Sequence, residues 1–266
     1  MGVLRLYFKL IRISMLSRMQ YRADFITGAL GVIVLNVANL GLIAILASRF
    51  AHLNGWTIWQ LVFLYCLWIL GHSIYSLLFW HIRDLEEYLV QGTFDQFLIR
   101  PASPFVQFIG REIQYMGFAD VLIGVTGITL AYGNLGLQWG LGKWAFFLAA
   151  ILSGTLIEMS LALMLACLAF WTGRSQAALS VMMRFNMLVQ QYPIDIFGLW
   201  FRVVVTGFLP VAFMNYYPSL LLLDKIDSAS AWAWLGYMSP VVALLLVAAA
   251  SGVWRLALAR YSSSGS

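Results

Sequence analysis

The sequence predicts an all-α membrane protein with six transmembrane helices. Of its 266 residues, 62% are hydrophobic and only 10% are charged, whereas soluble domains are about half apolar and about a quarter charged. Several hydrophobic runs are longer than a buried core helix requires. The basic residues also collect on one side of a six-span layout, as expected for cytoplasmic loops. This composition excludes a soluble globular protein and a disordered chain.

The six spans are predicted from hydrophobic runs and one more polar helical pattern. They cover residues 25–47, 56–79, 118–132, 144–171, about 175–192 and 234–256. Prolines interrupt residues 193–223 repeatedly, and broken backbone at membrane depth is tolerated only where protein or a cavity covers it. We therefore expect re-entrant helices there, before the last span, within a single transmembrane domain of residues 1–266.

Residues 1–22 predict an amphipathic helix that lies in the membrane interface. Arg5, Lys9 and Arg12 are spaced by four and three, so they share one helical face. An apolar face opposite them is formed by Leu6, Leu10 and Ile13. Separated basic and apolar faces suit the boundary between headgroups and acyl chains. The alternative is a simple cytoplasmic flank that sets the orientation.

The orientation follows from the Lys and Arg residues. With the N-terminus in the cytoplasm, twelve of the 16 fall on the cytoplasmic side, and three fall outside, at Arg49, Lys143 and Lys225. Arg202 lies in the broken region and is not counted. Basic residues are enriched in cytoplasmic loops, so we expect both termini to be cytoplasmic. The net charge of +5 then concerns topology and anionic lipid rather than nucleic acid.

The most polar stretch, residues 80–116, contains a short amphipathic helix. Ile82, Leu85 and Leu89 share one face, and Gly92 ends the helical pattern. The sequence shows no obvious place in the same subunit for this face, which would suit a groove on a partner. The alternative is a helix that packs on its own bundle or on lipid.

Three pieces of sequence resemble a permease subunit of an ABC-2-type transporter. They are YRAD at residues 21–24, GTFDQFLIRPASP at residues 92–104 and PVAFMNYYP at residues 210–218. Together with the six-span layout, they resemble a bacterial subgroup of uncharacterised permeases over essentially the whole chain. The resemblance implies the fold of a type V exporter, located in the bacterial plasma membrane.

The resemblance also implies partners and a coupling role. The helix after span two is the coupling helix of such transporters and fits a groove on the ATPase; by position it is residues 82–91 here. The implied coupling residues are Ile82, Leu85, Glu86, Glu87, Leu89, Phe94 and Arg100. The implied partners are a cytoplasmic ATP-binding-cassette ATPase in two copies and a second, related permease in a heterodimer. A homodimer is the alternative, lipid surrounds the complex, and no nucleic acid is expected.

The chain itself lacks the motif of an ATP site. The nearest match to GxxxxGK[ST] is residues 136–143, where the spacing is off by one and Trp144 replaces Ser or Thr. Neither HExxH nor GxSxG is present, and the histidines have no metal-ligand spacing. We therefore expect no catalytic residue, metal or cofactor in this chain, with ATP and magnesium bound by the partner ATPase.

Glu158 is the carboxylate nearest a span centre, and intramembrane charges are often functional. It either titrates as a proton or substrate site or locks span four to a neighbour. The second interpretation is favoured because no second intramembrane carboxylate forms a relay. Asp120 is expected to cap span three or to pair with Arg111. Candidate residues of the translocation path or gate are Asn36, Asn39, Glu158, Asp195, Arg202 and Asn215.

The predicted function is therefore the permease subunit of an exporter driven by ATP hydrolysis in a separate subunit, with a substrate that the sequence does not identify. The alternative is an ion-gradient-driven transporter or a channel that couples through Glu158. A membrane enzyme would need a polar cluster at one membrane face, and the sequence shows none.

Overall fold

The computed structural model describes residues 22–49, 55–101, 103–110, 113–225 and 233–261, and the regular elements within these ranges are all helical. The predicted interfacial helix falls outside the described residues apart from Arg22, as does Arg111. The α-helices are, in chain order, α1 (Arg22–Arg49), α2 (Ile58–Phe79), α3 (Leu85–Val90), α4 (Asp95–Leu98), α5 (Pro104–Ile109), α6 (Gly117–Asn134), α7 (Leu141–Ala166), α8 (Ala169–Thr172), α9 (Gln176–Gln191), α10 (Leu199–Val203), α11 (Tyr216–Leu222) and α12 (Ser239–Arg260). Short 3-10 segments cover Trp80–Asp84, Ile194–Ile196, Val211–Phe213 and Ala233–Tyr237, and a π-helical turn covers Val204–Phe208.

Four stretches of the described chain are long and apolar enough to cross a membrane. They are Ile26–Ile45, Ile58–Val90, Leu141–Thr172 and Ser239–Arg260. A bent pair, Leu199–Phe208 with Val211–Leu222, passes the same test together and turns by 79° at its break, as a broken span or a re-entrant loop does. Predicted spans three and five correspond to α6 and α9, which are shorter or more polar. The structure thus confirms a multi-span helical protein, and the count of six remains a prediction.

Helix α2 lies at the centre of the bundle. It begins at a capping box, in which Thr57 and Gln60 exchange side-chain hydrogen bonds with each other's backbone amides. Its sequence is apolar on all sides, which is the pattern of a buried helix. It packs against α1, α6, α7 and α9, so its rare polar side chains necessarily meet other helices.

Glycines let α6 approach α2 closely. A methyl group added at Gly124 would meet Leu70, and one added at Gly127 would collide with Sγ of Cys66. Small residues at helix contacts allow the close packing that holds membrane helices together. The glycines of α6 therefore fix the distance between these two helices.

We expect Gly127→Ala to lower the thermal stability of the detergent-solubilised protein, because inserting a methylene group into a packed core costs about 1–3 kcal/mol. The same change should cost much less in a Cys66→Ala background, since Cβ of Cys66 would lie 3.5 Å from the new methyl group. Gly31→Ala is the matched control, with no atom within 4 Å of the added carbon. Equal unfolding temperatures for Gly127→Ala and Gly31→Ala would contradict this packing.

The two ends of the bundle are distinct. At one end, Oδ1 of Asp95 accepts a hydrogen bond of 2.7 Å from the hydroxyl of Tyr261, so the loop after α2 meets the end of α12. At the other end, Nζ of Lys143 lies 2.6 Å from a carboxylate oxygen of Asp224. Segments that the basic residues assign to one side of the membrane thus share one end of the molecule.

Candidate functional site

The buried carboxylate of Glu158 joins three helices. Glu158, on α7, is 2% exposed. Its two carboxylate oxygens lie 2.9 and 3.0 Å from Nδ1 of His72 on α2. Nδ2 of Asn186 on α9 donates to one of them at 3.2 Å. The geometry is that of a Glu that locks span four to its neighbours, one of the two interpretations that the sequence allows.

His72 was missed by sequence reasoning, because it was assessed only as a metal ligand. A signal was nevertheless present. Residues 56–79 contain no Asp, Glu, Lys or Arg, and His72 is their single histidine. A buried charge at membrane depth requires a partner, so a lone His in one span and a lone Glu in another predict a pair.

A second polar chain links α1, α2, α6 and α9. The hydroxyl of Tyr65 donates to Oδ1 of Asn36 at 2.6 Å, and Nδ2 of Asn36 donates to Oδ1 of Asp120 at 2.9 Å. Nδ2 of Asn39 donates to the Tyr65 hydroxyl at 3.3 Å. Nε2 of Gln191 completes the chain by donating to Oδ1 of Asn39 at 3.1 Å. Asp120 therefore points inward to a neutral amide, which the expected roles of helix cap or partner of Arg111 did not include.

These groups line two adjacent cavities at the level of His72, which share four wall residues and are together named the two-lobed cavity. The large lobe has a volume of about 220 Å³ and is lined by Asp120. The small lobe has a volume of about 130 Å³ and is lined by Glu158 and Asn186. The walls common to both lobes are Trp68, His72, Trp80 and Gln190. His72 precedes the end of α2 by seven residues, or about 10 Å at ~1.5 Å per residue, and lies inside the candidate span Ile58–Val90.

Of the candidate path or gate residues, Asp195 and Arg202 hold the bent segment and do not line the two-lobed cavity. A carboxylate oxygen of Asp195 accepts a hydrogen bond of 3.0 Å from Nε1 of Trp56. Arg202 donates to the backbone carbonyls of Asp195 and Phe197 at 3.2 and 3.0 Å. Asp195 and Arg202 are therefore in contact, as their spacing allows, but the guanidinium bonds to the backbone carbonyl of Asp195 and not to its carboxylate.

Asn215 anchors the bent segment inside the bundle. Its side chain is fully buried. Nδ2 donates to the carbonyl of Leu64 on α2 at 3.3 Å and to that of Val189 on α9 at 3.0 Å. These two hydrogen bonds from one amide fix the bent segment against both helices, so Asn215 has a positioning role.

Lys225 fastens the same region to the start of α2. Its ammonium lies 4.7 Å from the ring centre of Trp56 and donates to the carbonyl of Gly55 at 2.9 Å. Burial lowers the pKa of Lys225, because desolvation penalises the charged form. A cation held against an aromatic face in this way is an attractive contact.

The apolar face of the loop after α2 is buried in its own chain, so the expectation that it lacks a docking place in the subunit is wrong. Ile82, Leu85 and Phe94 are fully buried, and Leu89 is partly buried against the core. The ring of Phe94 meets Phe170 edge-on at 5.5 Å. The reason is that α8 and the end of α12 return to this end of the bundle and cover the face.

The same loop exposes a different set of side chains. Val90 is 69% exposed and Ile99 is 82% exposed. The exposed side chains include Glu87, Val90, Gln91, Leu98, Ile99 and Arg100, and this set is named the coupling surface after the role that the sequence predicts for the loop. Of the predicted coupling residues, Glu87 and Arg100 belong to this surface.

Glu86 connects the loop to α9. Its carboxylate accepts hydrogen bonds from the backbone amide and hydroxyl of Ser175 and, at 2.9 Å, from the backbone amide of Gln176. An acidic side chain satisfies the free amides at a helix N-terminus and complements its dipole. Glu86 is therefore a clamp between the loop and the helix that carries Asn186 and Gln191.

Removing this clamp should loosen the first turn of α9. We expect Glu86→Ala to cost about 0.5–2 kcal/mol, as loss of a helix cap does, and to speed amide hydrogen exchange at the start of α9. Glu87→Ala is the matched control, because Glu87 is exposed and bonds to Gln91 within its own turn. Unchanged exchange in Glu86→Ala relative to Glu87→Ala would argue against the clamp.

Residues 32–265 match a family model described as ABC-2 family transporter protein. The matched region contains the two-lobed cavity and the coupling surface. Comparisons with curated proteins and with solved structures each found no match.

Proposed function

Because the chain belongs to the ABC-2 family of transporter proteins, we propose that it is the permease subunit of an exporter driven by ATP hydrolysis in a separate subunit. The match over residues 32–265 carries this proposal. As a member of this family with several apolar helices, the chain is a multi-pass membrane component of an ABC transporter. Export, rather than import, is part of the proposal.

The proposed topology has six spans in the bacterial plasma membrane, with both termini in the cytoplasm. Helices α6 and α9 are the additional spans, and residues 199–222 are re-entrant. Basic residues support this orientation, because Arg83, Arg174 and Arg260 lie at the end of the bundle that carries the coupling surface. Lys143 and Lys225 lie at the other end. Cytoplasmic loops are the ones enriched in Lys and Arg.

The coupling surface is proposed to dock on a cytoplasmic ATP-binding-cassette ATPase, which binds ATP and magnesium. The Glu86 clamp then gives a physical route from the ATPase to the cavity. Movement of the loop would pull on the start of α9, and α9 carries Asn186, which bonds to Glu158. Nucleotide-driven motion of the loop would thereby reach the walls of the two-lobed cavity.

The proposed complex contains two ATPase copies and a second permease, which is either a related chain or another copy of this one. The uncovered apolar side chains of α1, such as Val34 and Val37, suit either lipid or that second permease.

The proposal is tested by purifying the permease with its ATPase from native membranes and reconstituting both in proteoliposomes. We expect ATP hydrolysis to respond to the permease and to disappear when the catalytic Glu of the ATPase is changed to Gln. An ATPase that hydrolyses ATP at the same rate with and without the permease would contradict the proposal.

A second candidate function, transport driven by an ion gradient with Glu158 as the coupling carboxylate, is favoured by one observation. His72 lines both adjacent cavities, Asp120 lines the larger one and Glu158 lines the smaller one, so ionisable groups occur on three helices. Ionisable chains of this kind form proton pathways in pumps and transporters. Transport that stops with an ionophore but continues without ATP would identify this mode.

A further inference from the structure

We propose that Arg184, on the exposed face of α9, binds the acidic group of the substrate, so that the permease transports an anion with an apolar body. This inference rests on the proposed function, in which α9 is a span, and names the substrate class. It is carried by the depth of Arg184, by its lack of a partner within the described chain and by the side chains that share its face.

Arg184 lies near the middle of the bundle. Two residues beyond it on α9, Nδ2 of Asn186 donates a hydrogen bond of 3.2 Å to Glu158. Glu158 lies near the centre of the candidate span Leu141–Thr172. At ~1.5 Å per residue along a helix, Arg184 is therefore about 3 Å along α9 from the central level of that span.

Helix α9 turns Arg184 away from its own bundle. The face that packs toward α2 and α7 is buried and contains Leu179, Met182, Asn186 and Val189. The exposed face of α9 is formed by Ala177, Ser180, Val181, Arg184, Met187 and Leu188. Within the described chain, Arg184 has no hydrogen bond, ion pair or ring contact. Its guanidinium is thus available to a group from outside the subunit.

Lipid alone does not suit this face. A charged side chain at the centre of the bilayer is costly, whereas an arginine near the end of a span can extend to the headgroups. Arg255 has that second position, because it is exposed and lies five residues before the end of α12. Arg184 lies about two turns from either end of α9. Its charge therefore requires water or an acidic group opposite it.

A second copy of this chain offers no free acidic group at this depth. The described carboxylates of the bundle interior are Asp120 and Glu158, which are buried and accept hydrogen bonds within their own subunit. Two copies that met through this face would instead bring two arginines together. A water-filled path that admits an anion satisfies the charge of Arg184 without that repulsion.

The charges along α9 also favour an anion. Residues 174–191 contain Arg174 and Arg184 but no Asp or Glu. Glu158, the carboxylate nearest this level, faces the interior and is paired with His72. A guanidinium binds carboxylate, sulfonate or phosphate oxygens through two parallel N–H donors, so Arg184 fits any of these acidic groups.

The neighbours of Arg184 suit an apolar body attached to the acidic group. Val181 is 51% exposed, Met187 is 55% exposed and Leu188 is 38% exposed. All three share the face of Arg184, and a methionine side chain adapts to varied apolar shapes. An amphipathic anion therefore matches this face better than a small inorganic anion does.

The test is binding of 1-anilinonaphthalene-8-sulfonate to the permease complex purified from native membranes and placed in phosphatidylcholine nanodiscs, with empty nanodiscs as background. We expect Arg184→Gln to weaken this binding by about tenfold or more, the scale of one hydrogen bond to a charged group. Arg184→Lys should retain most of the affinity, because it keeps the charge. Neutral N-phenyl-1-naphthylamine, which lacks the sulfonate, should bind the wild type and Arg184→Gln equally.

Arg255→Gln is the matched control, since it removes an exposed arginine near the end of a span and should leave sulfonate affinity unchanged. Thermal unfolding shows whether each variant remains folded. Equal sulfonate affinity in the wild type and a folded Arg184→Gln variant would overturn the inference. Native mass spectrometry provides a further check. Loss of bound phosphatidylglycerol, or dissociation of the second permease, in Arg184→Gln would assign Arg184 to lipid or to that subunit and would equally overturn the inference.

Failure of the inference can be distinguished from failure of the proposed function. Sulfonate binding that does not depend on Arg184, in a permease that still regulates its ATPase, would reject the anion site alone. Sulfonate binding that depends on Arg184, in a permease that engages no ATPase, would reject the proposed function and leave the site.

Discussion

Replacing Glu158 with leucine should destabilise the bundle by about 3–5 kcal/mol, the cost of removing one partner of a buried charged pair. The leucine would leave Nδ1 of His72 and Nδ2 of Asn186 without the carboxylate that accepts from them. Glu158→Gln should cost far less, because an amide has nearly the same shape and offers both an acceptor and a donor. Thermal unfolding in detergent measures both changes.

A double-mutant cycle separates the pair from simple packing. His72→Leu combined with Glu158→Leu should be more stable than the sum of the single changes predicts, since replacing both partners by apolar groups can be nearly neutral. Asp224→Leu is the control, because its exposed pair with Lys143 should contribute only about 0–1 kcal/mol. Strict additivity of His72→Leu and Glu158→Leu would show that the two side chains are not coupled.

The long helices were predictable because hydrophobic length alone specifies them. The run at residues 25–47 lies within α1, and the run at residues 234–256 corresponds to α12 with a start delayed to Ser239. Proline spacing likewise predicted the broken region, where the bend of 79° occurs. What periodicity could not supply is which helix covers which face. The apolar face of the loop after α2 is visible in the sequence, whereas its cover by α8 and α12 depends on contacts remote in the chain.

Part of the candidate site was predictable from the sequence, and the rest depends on contacts between helices that are remote in the chain. Glu158, Asn36 and Asn39 are polar residues inside apolar runs, so the sequence alone marks them as inward-facing. His72 and Asp120 have their partners on other helices, so their roles appear only when α2, α6 and α7 are placed side by side. Glu86 shows the same limit, because its expected place at a partner interface is occupied by the start of α9.

The coupling surface gives the other large effect. Val90→Ala combined with Ile99→Ala should abolish stable association with the ATPase and ATP-dependent transport, with normal insertion of the permease. Both side chains are largely exposed, so their truncation removes contacts with a partner and leaves the core intact. A few central apolar anchors usually dominate such an interface, at about 1–3 kcal/mol or more each.

Leu85→Ala cannot test docking of the ATPase, although Leu85 lies on the apolar face that the sequence identifies. Leu85 is fully buried, and truncating a buried leucine costs about 2–5 kcal/mol of folding stability, which would confound docking with misfolding. The matched control is Leu141→Ala with Leu199→Ala, two exposed residues outside the coupling surface.

The deciding measurements are ATPase co-purification and ATP-dependent transport at equal membrane expression, with thermal unfolding as a check. We expect the control pair to behave like the wild type in all three. The variant with Val90→Ala and Ile99→Ala should lose ATPase co-purification and ATP-dependent transport, while its thermal unfolding should match that of the wild type. Wild-type association and transport in that pair would show that the ATPase docks elsewhere, and the loop after α2 would then serve only to hold α9 in place through Glu86.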